Sequence, residues 1–223
     1  MPSTTPASAA SGLSITSPRL TVRTAVPSDG EGLVAYFSNP ANFPWPAETD
    51  LTLEKLLPRI DKWANATAEG KSAFMVIVLR ETNQVIGFGG FNNLPRTEPL
   101  SNKPIWEITK GSEEGTILVA DVGISIDHQH QRQGYAKEAV CAVLEYGFGE
   151  LGCAYAHLDT QKSNEPLKAL MSSLGIQGVA GDDSEPLEDA AFCFASRAIN
   201  YDLDKATWDS LREELKSKDK WPL

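Results

Sequence analysis

A long strand-like run that passes directly into a helix constrains this chain more than any other feature. TILVADVGISI (116–126) reads as a strand, and HQHQRQ (128–133) as a polar loop. From about Gly134 to Glu150, Ala136, Ala139, Val140, Val143, Leu144 and Phe148 recur on one helical face. A strand of that length is expected at the centre of a sheet. Its loop delivers a helix N-terminus at Gln131–Ala136, where free N–H groups and the positive end of the helix dipole form a site for an anion. Gly134 lets a phosphate approach the backbone, and Ala136 keeps the first turn open.

The elements around this unit define the fold class. RLTVRTA (19–25) alternates as a strand, and Ser28 with Glu31 forms a capping-box pattern that starts a helix ending at Asn39-Pro40. LTLEKLLPRIDKWANA (51–66) has helical apolar spacing, and Pro58 is expected to kink it or delay its start. FMVIVLR (74–80) and QVIGFGGF (84–91) form a hairpin, with GFGG marking a bulge or close packing. IWEIT (105–109) is expected to pair with 116–126, leaving Glu107 in solvent. AYAHLDT (154–160) is a strand, SNEPLKALMSSLG (163–175) a helix capped by Ser163 and closed by Gly175, and FCFASRAINYDL (192–203) a long strand. The stretch 179–190 reads as an acidic loop. Residues from 204 onward read as a surface helix with Trp208, Leu211 and Leu215 on one side. This order implies an α+β fold, a mixed sheet with helices on both faces in three layers, rather than a doubly wound parallel sheet. The expected organisation is a disordered tail at 1–17, one domain at 18–203 and a helical extension at 204–223.

Bulk properties exclude several partners. The formal net charge is −10, which disfavours nucleic acid and anionic membranes and suits a cationic acceptor such as an amine. No apolar run is long enough to span a membrane. Cys141, Cys153 and Cys193 are odd in number, fit no metal spacing and sit in apolar contexts. With no secretory signal at the start, they imply a reduced, cytoplasmic compartment. His128 and His130 beside Asp127 lack a third well-spaced ligand, so no metal is expected. Neither a Gly-x-x-x-x-Gly-Lys loop nor a Gly-x-Gly-x-x-Gly after a first strand is present.

Gln131-Arg132-Gln133-Gly134-Tyr135-Ala136 resembles the pyrophosphate loop of the GNAT acetyltransferase superfamily, and KEA matches the usual helix opening. Asn164, Lys168, Leu170, Leu174 and Gly175-Ile176 are similar to that family's second cofactor segment. PRLTVRTAVPSDGEGLVAYFSNP resembles the branch that includes the ribosomal-protein N-terminal acetyltransferases. The resemblance spans about residues 18–203 and implies a splayed, mostly antiparallel sheet opening between strands 116–126 and 154–160. It implies acetyl-CoA as cosubstrate, with pantetheine along Val122, Ile124 and Ile126. Its pyrophosphate would lie on the Gln131–Ala136 loop (Gln131, Arg132, Gln133, Gly134, Tyr135 and Ala136), with Asn164 and Lys168 nearby. Asp121, on the central strand, takes the position of the family's base or amine anchor. The acceptor is expected to be an amine, on a small molecule or a protein N-terminus, with Trp45, Glu48 and Phe91 as candidate lining. The resemblance leaves monomer and homodimer open. The family's usual proton donor is missing: Met171 and Leu167 occupy its positions, with Tyr155 and Ser172 as weaker candidates. A catalytically degenerate acyl-CoA-binding protein or scaffold of the same fold is therefore the alternative.

Overall fold

The computed structural model describes residues 12–43, 46–97, 116–180 and 198–223. Its strands are β1 (Ser14–Thr16), β2 (Leu20–Thr24), β3 (Ala73–Leu79), β4 (Val85–Asn93), β5 (Arg96–Thr97), β6 (Ile117–Ile126), β7 (Tyr155–Gln161), β8 (Val179–Ala180) and β9 (Ala198–Asp204). Its helices are α1 (Gly30–Ser38), α2 (Leu53–Ala68), α3 (Tyr135–Gly149), α4 (Glu165–Ser173) and α5 (Lys205–Ser217). The sheet order is β1-β2-β3-β4-β6-β7-β9-β8, with β5 paired to the start of β6. Every pairing is antiparallel except β6–β7. The long run of 116–126 thus lies near the middle of the sheet, as its length implies.

Alternation along β3 shows how one strand serves two layers. Met75 and Ile77 point into one core, and Val76 and Val78 into the other. The second core packs Leu33 of α1 with Leu56 and Ile60 of α2. The first packs Val140, Leu144 and Phe148 of α3, Met171 of α4 and Trp208 of α5. Because both faces are covered, β3 is almost continuously apolar. The α+β class and the helix–sheet–helix layering follow.

Several local expectations change. Ser14–Thr16 pairs with β2, so part of the stretch expected to be a tail belongs to the sheet. The Ser28–Glu31 capping box is not what starts α1. Asp29 instead turns its carboxylate back to the N–H of Val26 at 2.8 Å and holds Arg23 through two 2.7 Å hydrogen bonds. Helix α2 runs through Pro58, and Thr52 caps it. Asn164, not Ser163, caps α4, because its Oδ1 accepts from the N–H of Leu167. Gly175 follows α4 at φ 78°, a conformation suited to glycine. Two residues of the expected acidic loop form β8. The partner expected at 105–109 lies outside the described residues, as does Cys193. Among the described residues, β6 pairs with β4, β5 and β7. Burial pushes the thiols of Cys141 and Cys153 up to about 12, so neither is a nucleophile at neutral pH.

Helix α5 is not an appended surface element. Trp208 is 0% exposed, and its indole N–H donates to Glu145 of α3 at 2.7 Å. Trp208→Ala is expected to cost about 3–5 kcal/mol of stability, measured by urea unfolding. A midpoint equal to wild type would show that α5 is dispensable to the core.

Candidate active site

The parallel ladder between β6 and β7 lasts three residue pairs and then ends. Val119 faces Tyr155, Ala120 faces Ala156, and Asp121 faces His157. Beyond that point β6 stays with β4 and β7 stays with β9, so the sheet opens into a V. The N–H groups of Val119 and Asp127 donate to Pro95 and Ile86, on the β4–β5 side. Strand alternation therefore turns the backbone groups of Val122, Ile124 and Ile126 toward the opening. The Ile126 carbonyl is taken by the side-chain amide of Gln131 at 3.0 Å. An extended ligand can lie along the remaining groups as a strand would.

The loop after β6 is held at both ends. Asp127 accepts from the N–H of Gln129 at 3.0 Å and from the Asn42 amide at 3.0 Å, while the N–H of His128 donates to Asn42 at 2.8 Å. Arg132 at φ 59° and Gly134 at φ 83° are both left-handed, and no side chain caps α3 at Gly134. Successive amides in such a turn make a concave anion site. Gln131, Arg132, Gln133 and Gly134 are exposed, and Tyr135 and Ala136 are half-buried. His130 contacts Asp127 at 3.3 Å, and among the described residues no group of three or more His, Cys, Asp or Glu could hold an ion.

Arg19 is the residue that sequence reasoning missed at this loop. It reads as the polar face of β2's approach, yet it spans to the far end of the site. Its Nη1 donates to the Gln133 carbonyl at 2.9 Å, and its guanidinium lies 4.4 Å over the Tyr135 ring. Its backbone N–H and Nε each donate to Glu138 at 2.7 Å, as does the Ser17 hydroxyl. Glu138 is 1% exposed, so this buried carboxylate locks the loop and α3 to the first strands. A Cβ at Gly134 would come within 3.3 Å of Arg19 Nη2, so a positive charge stands beside the amide cradle. No spacing rule links residue 19 to residue 138.

On the other side of the opening, Asn164 closes β7 onto α4. Its Nδ2 donates to Thr160 Oγ1 at 2.8 Å while its Oδ1 caps the helix. Lys168 pairs with Glu165 on the same helix. Met171 is fully buried core and Leu167 is half-buried. Ser172 is exposed, and Tyr155 is half-buried within the β7 ladder.

The sheet face that carries α1 and α2 presents a polar row where the V begins. Asn93, Asp121, His157 and Asp202 are direct partners across β4, β6, β7 and β9. A bulge in β4 brings two amides to one carboxylate: Asn92 donates to Asp121 Oδ1 at 3.3 Å and Asn93 to Oδ2 at 3.1 Å. Burial raises the pKa of Asp121, and the Asn93 hydrogen bond, the charge of His157 and the Asn92 hydrogen bond oppose it. Gly123, the next residue on this face, keeps the floor clear, because a Cβ there would meet the Asn92 amide at 2.8 Å. Asp159 lies on the β7 arm, and burial raises its pKa as well. Asn200, its ladder partner, is 1% exposed with neither amide atom hydrogen-bonded.

An aromatic wall stands beside this row. Phe88 meets Trp63 at 5.0 Å, Phe37 at 5.1 Å and Phe74 at 5.7 Å between ring centres, and Phe37 stacks near Phe43. All five are half-buried. Tyr36 of α1 donates to Ser125 at 2.5 Å, and burial pushes its hydroxyl up to about 12. The candidate lining residues fare differently. Phe91 is 0% exposed in the core against α3, on the opposite face, so it does not line this side. Glu48 is exposed and holds Arg59, which lies over Phe37 and Trp63 at the edge of the wall. Trp45 lies outside the described residues. The wall was legible only as scattered aromatics, because 37, 63, 74 and 88 share no periodicity.

Comparison with known proteins bears on family and fold. A family model described as an acetyltransferase (GNAT) domain matches residues 19–177. The chain is 27% identical over 160 residues to the uncharacterized N-acetyltransferase p20 of Bacillus licheniformis, covering 71% of this chain and 79% of that one. Among solved structures it resembles RimJ of Mycobacterium smegmatis in complex with CoA-disulfide. That match has a TM-score of 0.65 at 12% identity and covers 94% of each chain. It also resembles the ribosomal-protein-S5-alanine acetyltransferase of Vibrio fischeri, with a TM-score of 0.63 at 16% identity, covering 88% of this chain and 98% of that one. A sheet that splays at Asp121, an amide loop behind it and a matching family model over most of the chain lead to one assignment: the protein belongs to the GNAT acetyltransferase family.

Proposed function

We propose that the protein transfers the acetyl group of acetyl-CoA directly to a primary amine, within a complex that holds both. The observation that carries this reading is the position of Asp121, a buried carboxylate held by two amides where β6 and β7 part. Acetyl-CoA supplies the activated acyl group as a thioester. Val122, Ile124 and Ile126 would hold its pantetheine through their backbone groups. Gln131 to Ala136 would hold the pyrophosphate, with Arg19 and Arg132 adding positive charge.

The acceptor side follows from the opposite face. An alkyl amine with a pKa of about 10.4 is mostly protonated at neutral pH. Asp121 would attract that ammonium, then take its proton directly or through one water. The Ile124 N–H, turned toward the opening, would donate to the carbonyl oxygen as negative charge develops there. The thiolate would leave without a dedicated acid, since a thiol pKa of about 8.5 makes it a tolerable leaving group. The aromatic wall and the carboxylates Asp121 and Asp159 favour an acceptor that joins an apolar portion to a positively charged amine.

A CoA-release screen over peptides with free N-termini, polyamines, amino acids and aminoglycosides tests the reading. Release with at least one class is expected. Tight acetyl-CoA binding without release from any would favour the degenerate acyl-CoA-binding alternative. Asp121→Asn is expected to lower kcat by about 10²–10⁴-fold with little change in acetyl-CoA affinity. Because burial raises the pKa of Asp121, the base is lost as pH falls through that raised value. Wild-type kcat/KM should therefore drop on the acid side above the usual carboxylate range. A profile that is flat down to ordinary carboxylate pH would exclude Asp121 as the base.

Gly134→Glu places a carboxylate and a strained left-handed residue in the phosphate cradle. Calorimetry is expected to find acetyl-CoA binding abolished in a variant that still folds. Unchanged affinity would remove the loop from the cofactor site.

A further inference from the structure

Asn42 closes the single turn Pro40–Asn42 that follows α1, and it is buried although its side chain is polar at both ends. Its Nδ2 donates to the Tyr36 carbonyl of α1 at 2.9 Å and to Asp127 Oδ2 at 3.0 Å, while its Oδ1 accepts the N–H of His128 at 2.8 Å. The hydrogen bonds continue from there into the loop. Asp127 Oδ1 accepts from the N–H of Gln129 at 3.0 Å, the Gln129 carbonyl accepts from Gln133 Nε2 at 3.2 Å, and the Gln133 carbonyl accepts from Arg19 at 2.9 Å. The next residue after Asn42, Phe43, packs edge-on against Tyr36 at 5.5 Å and stacks near Phe37 at 6.2 Å. One buried amide therefore joins the layer that carries the aromatic wall to the loop that opens α3.

We propose that Asn42 is a positioning residue: from the acceptor layer it holds the backbone of 127–134 in the geometry that takes the pyrophosphate of acetyl-CoA. This rests on the acetyl-transfer reading and deepens it. Residues 131–134 are exposed, so burial does little to fix them. Arg132 is left-handed at φ 59° without being glycine, a conformation that persists only where its surroundings over-determine it. Arg19 braces the far end of the loop, and Asn42 braces its entrance. A cradle that must be ordered on binding loses affinity by the cost of ordering it, and a braced cradle has met that cost on folding. The same brace fixes how the loop lies relative to the wall, and so the alignment of acyl donor and acceptor. The position calls for an amide. An aspartate has no donor for Tyr36 and Asp127 and sets two carboxylates against each other, while an apolar side chain leaves the N–H of His128 without its acceptor.

Calorimetry with acetyl-CoA on the full chain tests this without any acceptor. Asn42→Asp is expected to weaken acetyl-CoA binding by roughly 10-fold. With an amine that supports turnover, KM for acetyl-CoA should rise in parallel while kcat at saturation holds, since Asp121 is untouched. The decisive variant exchanges the pair. In Asn42→Asp combined with Asp127→Asn, the amide at 127 can donate to the carboxylate at 42 and still accept from Gln129, and that carboxylate still accepts from His128. The exchange is expected to recover most of the lost affinity. A merely structural loss would not be repaired in this way, because the hold on the Tyr36 carbonyl stays broken. Should Asn42→Asp fail to fold, Asp127→Asn is the reference, and the exchange is expected to bind acetyl-CoA more tightly than it does. Wild-type affinity in folded Asn42→Asp overturns the proposal, and so does an exchange variant that binds no better than the single variants. Either result would leave acetyl transfer standing, whereas failure of the transfer reading would appear as no CoA release with any amine.

Discussion

The parallel ladder of β6 and β7 ends after Asp121 and His157, and both arms must then be held by other strands. Two parallel neighbours normally continue their ladder, because each buried N–H and C=O needs a partner. Here the ladder stops after three pairs, and the backbone groups of Val122, Ile124 and Ile126 face the gap. Such a break is tolerable only if both half-sheets are anchored elsewhere. β4 holds one arm and β9 the other, while α3 crosses from the end of β6 to the start of β7. Trp208 then ties α5, which follows β9, back onto α3 through Glu145. The C-terminal helix thus packs into the same core as α3.

The two sides of the opening differ in charge, and the protein's overall charge of −10 hides the difference. The loop side gathers exposed residues 131–134 with Arg19 and Arg132. The sheet face that carries α1 and α2 presents Asp121, Asp159 and Asp202. Net charge says nothing about this separation. Strand alternation sends Asp121 and Gly123 to one face and Ala120 and Val122 to the other, while the loop with Arg19 and Arg132 lies past the end of β6.

Much of the fold was legible because local physics wrote it. Leu167, Leu170, Met171 and Leu174 in one segment, Ala139, Val140, Val143 and Leu144 in another, and alternation in 19–25 each declare an element with no distant partner needed. Gly175 closes α4 as its sequence implies, while the starts of α1 and α4 were legible in kind and wrong in residue. Asn164 wins over Ser163 because it also bonds Thr160 at the end of β7, a tertiary contact. Asp29 wins over Ser28 because Arg23 holds it in place. Phe91 was considered for the cleft and lies in the core, since a β4 bulge and the pairing to Val122 decide which face it takes.

Local sequence sufficed for most of the elements, the α+β class, the turn with Gly134 that opens α3 and the place of Asp121 on a central strand. Each of these is encoded within a few residues, where periodicity and turn chemistry act. Only the tertiary structure decided that Arg19 braces that turn through Glu138, that Phe37, Trp63, Phe74 and Phe88 form one wall, and that His157 stands between Asp121 and Asp202. Those relations join residues 119, 51 and 36 to 45 positions apart along the chain. They depend on sheet register, and register is set by the packing of whole strands and helices rather than by any local run.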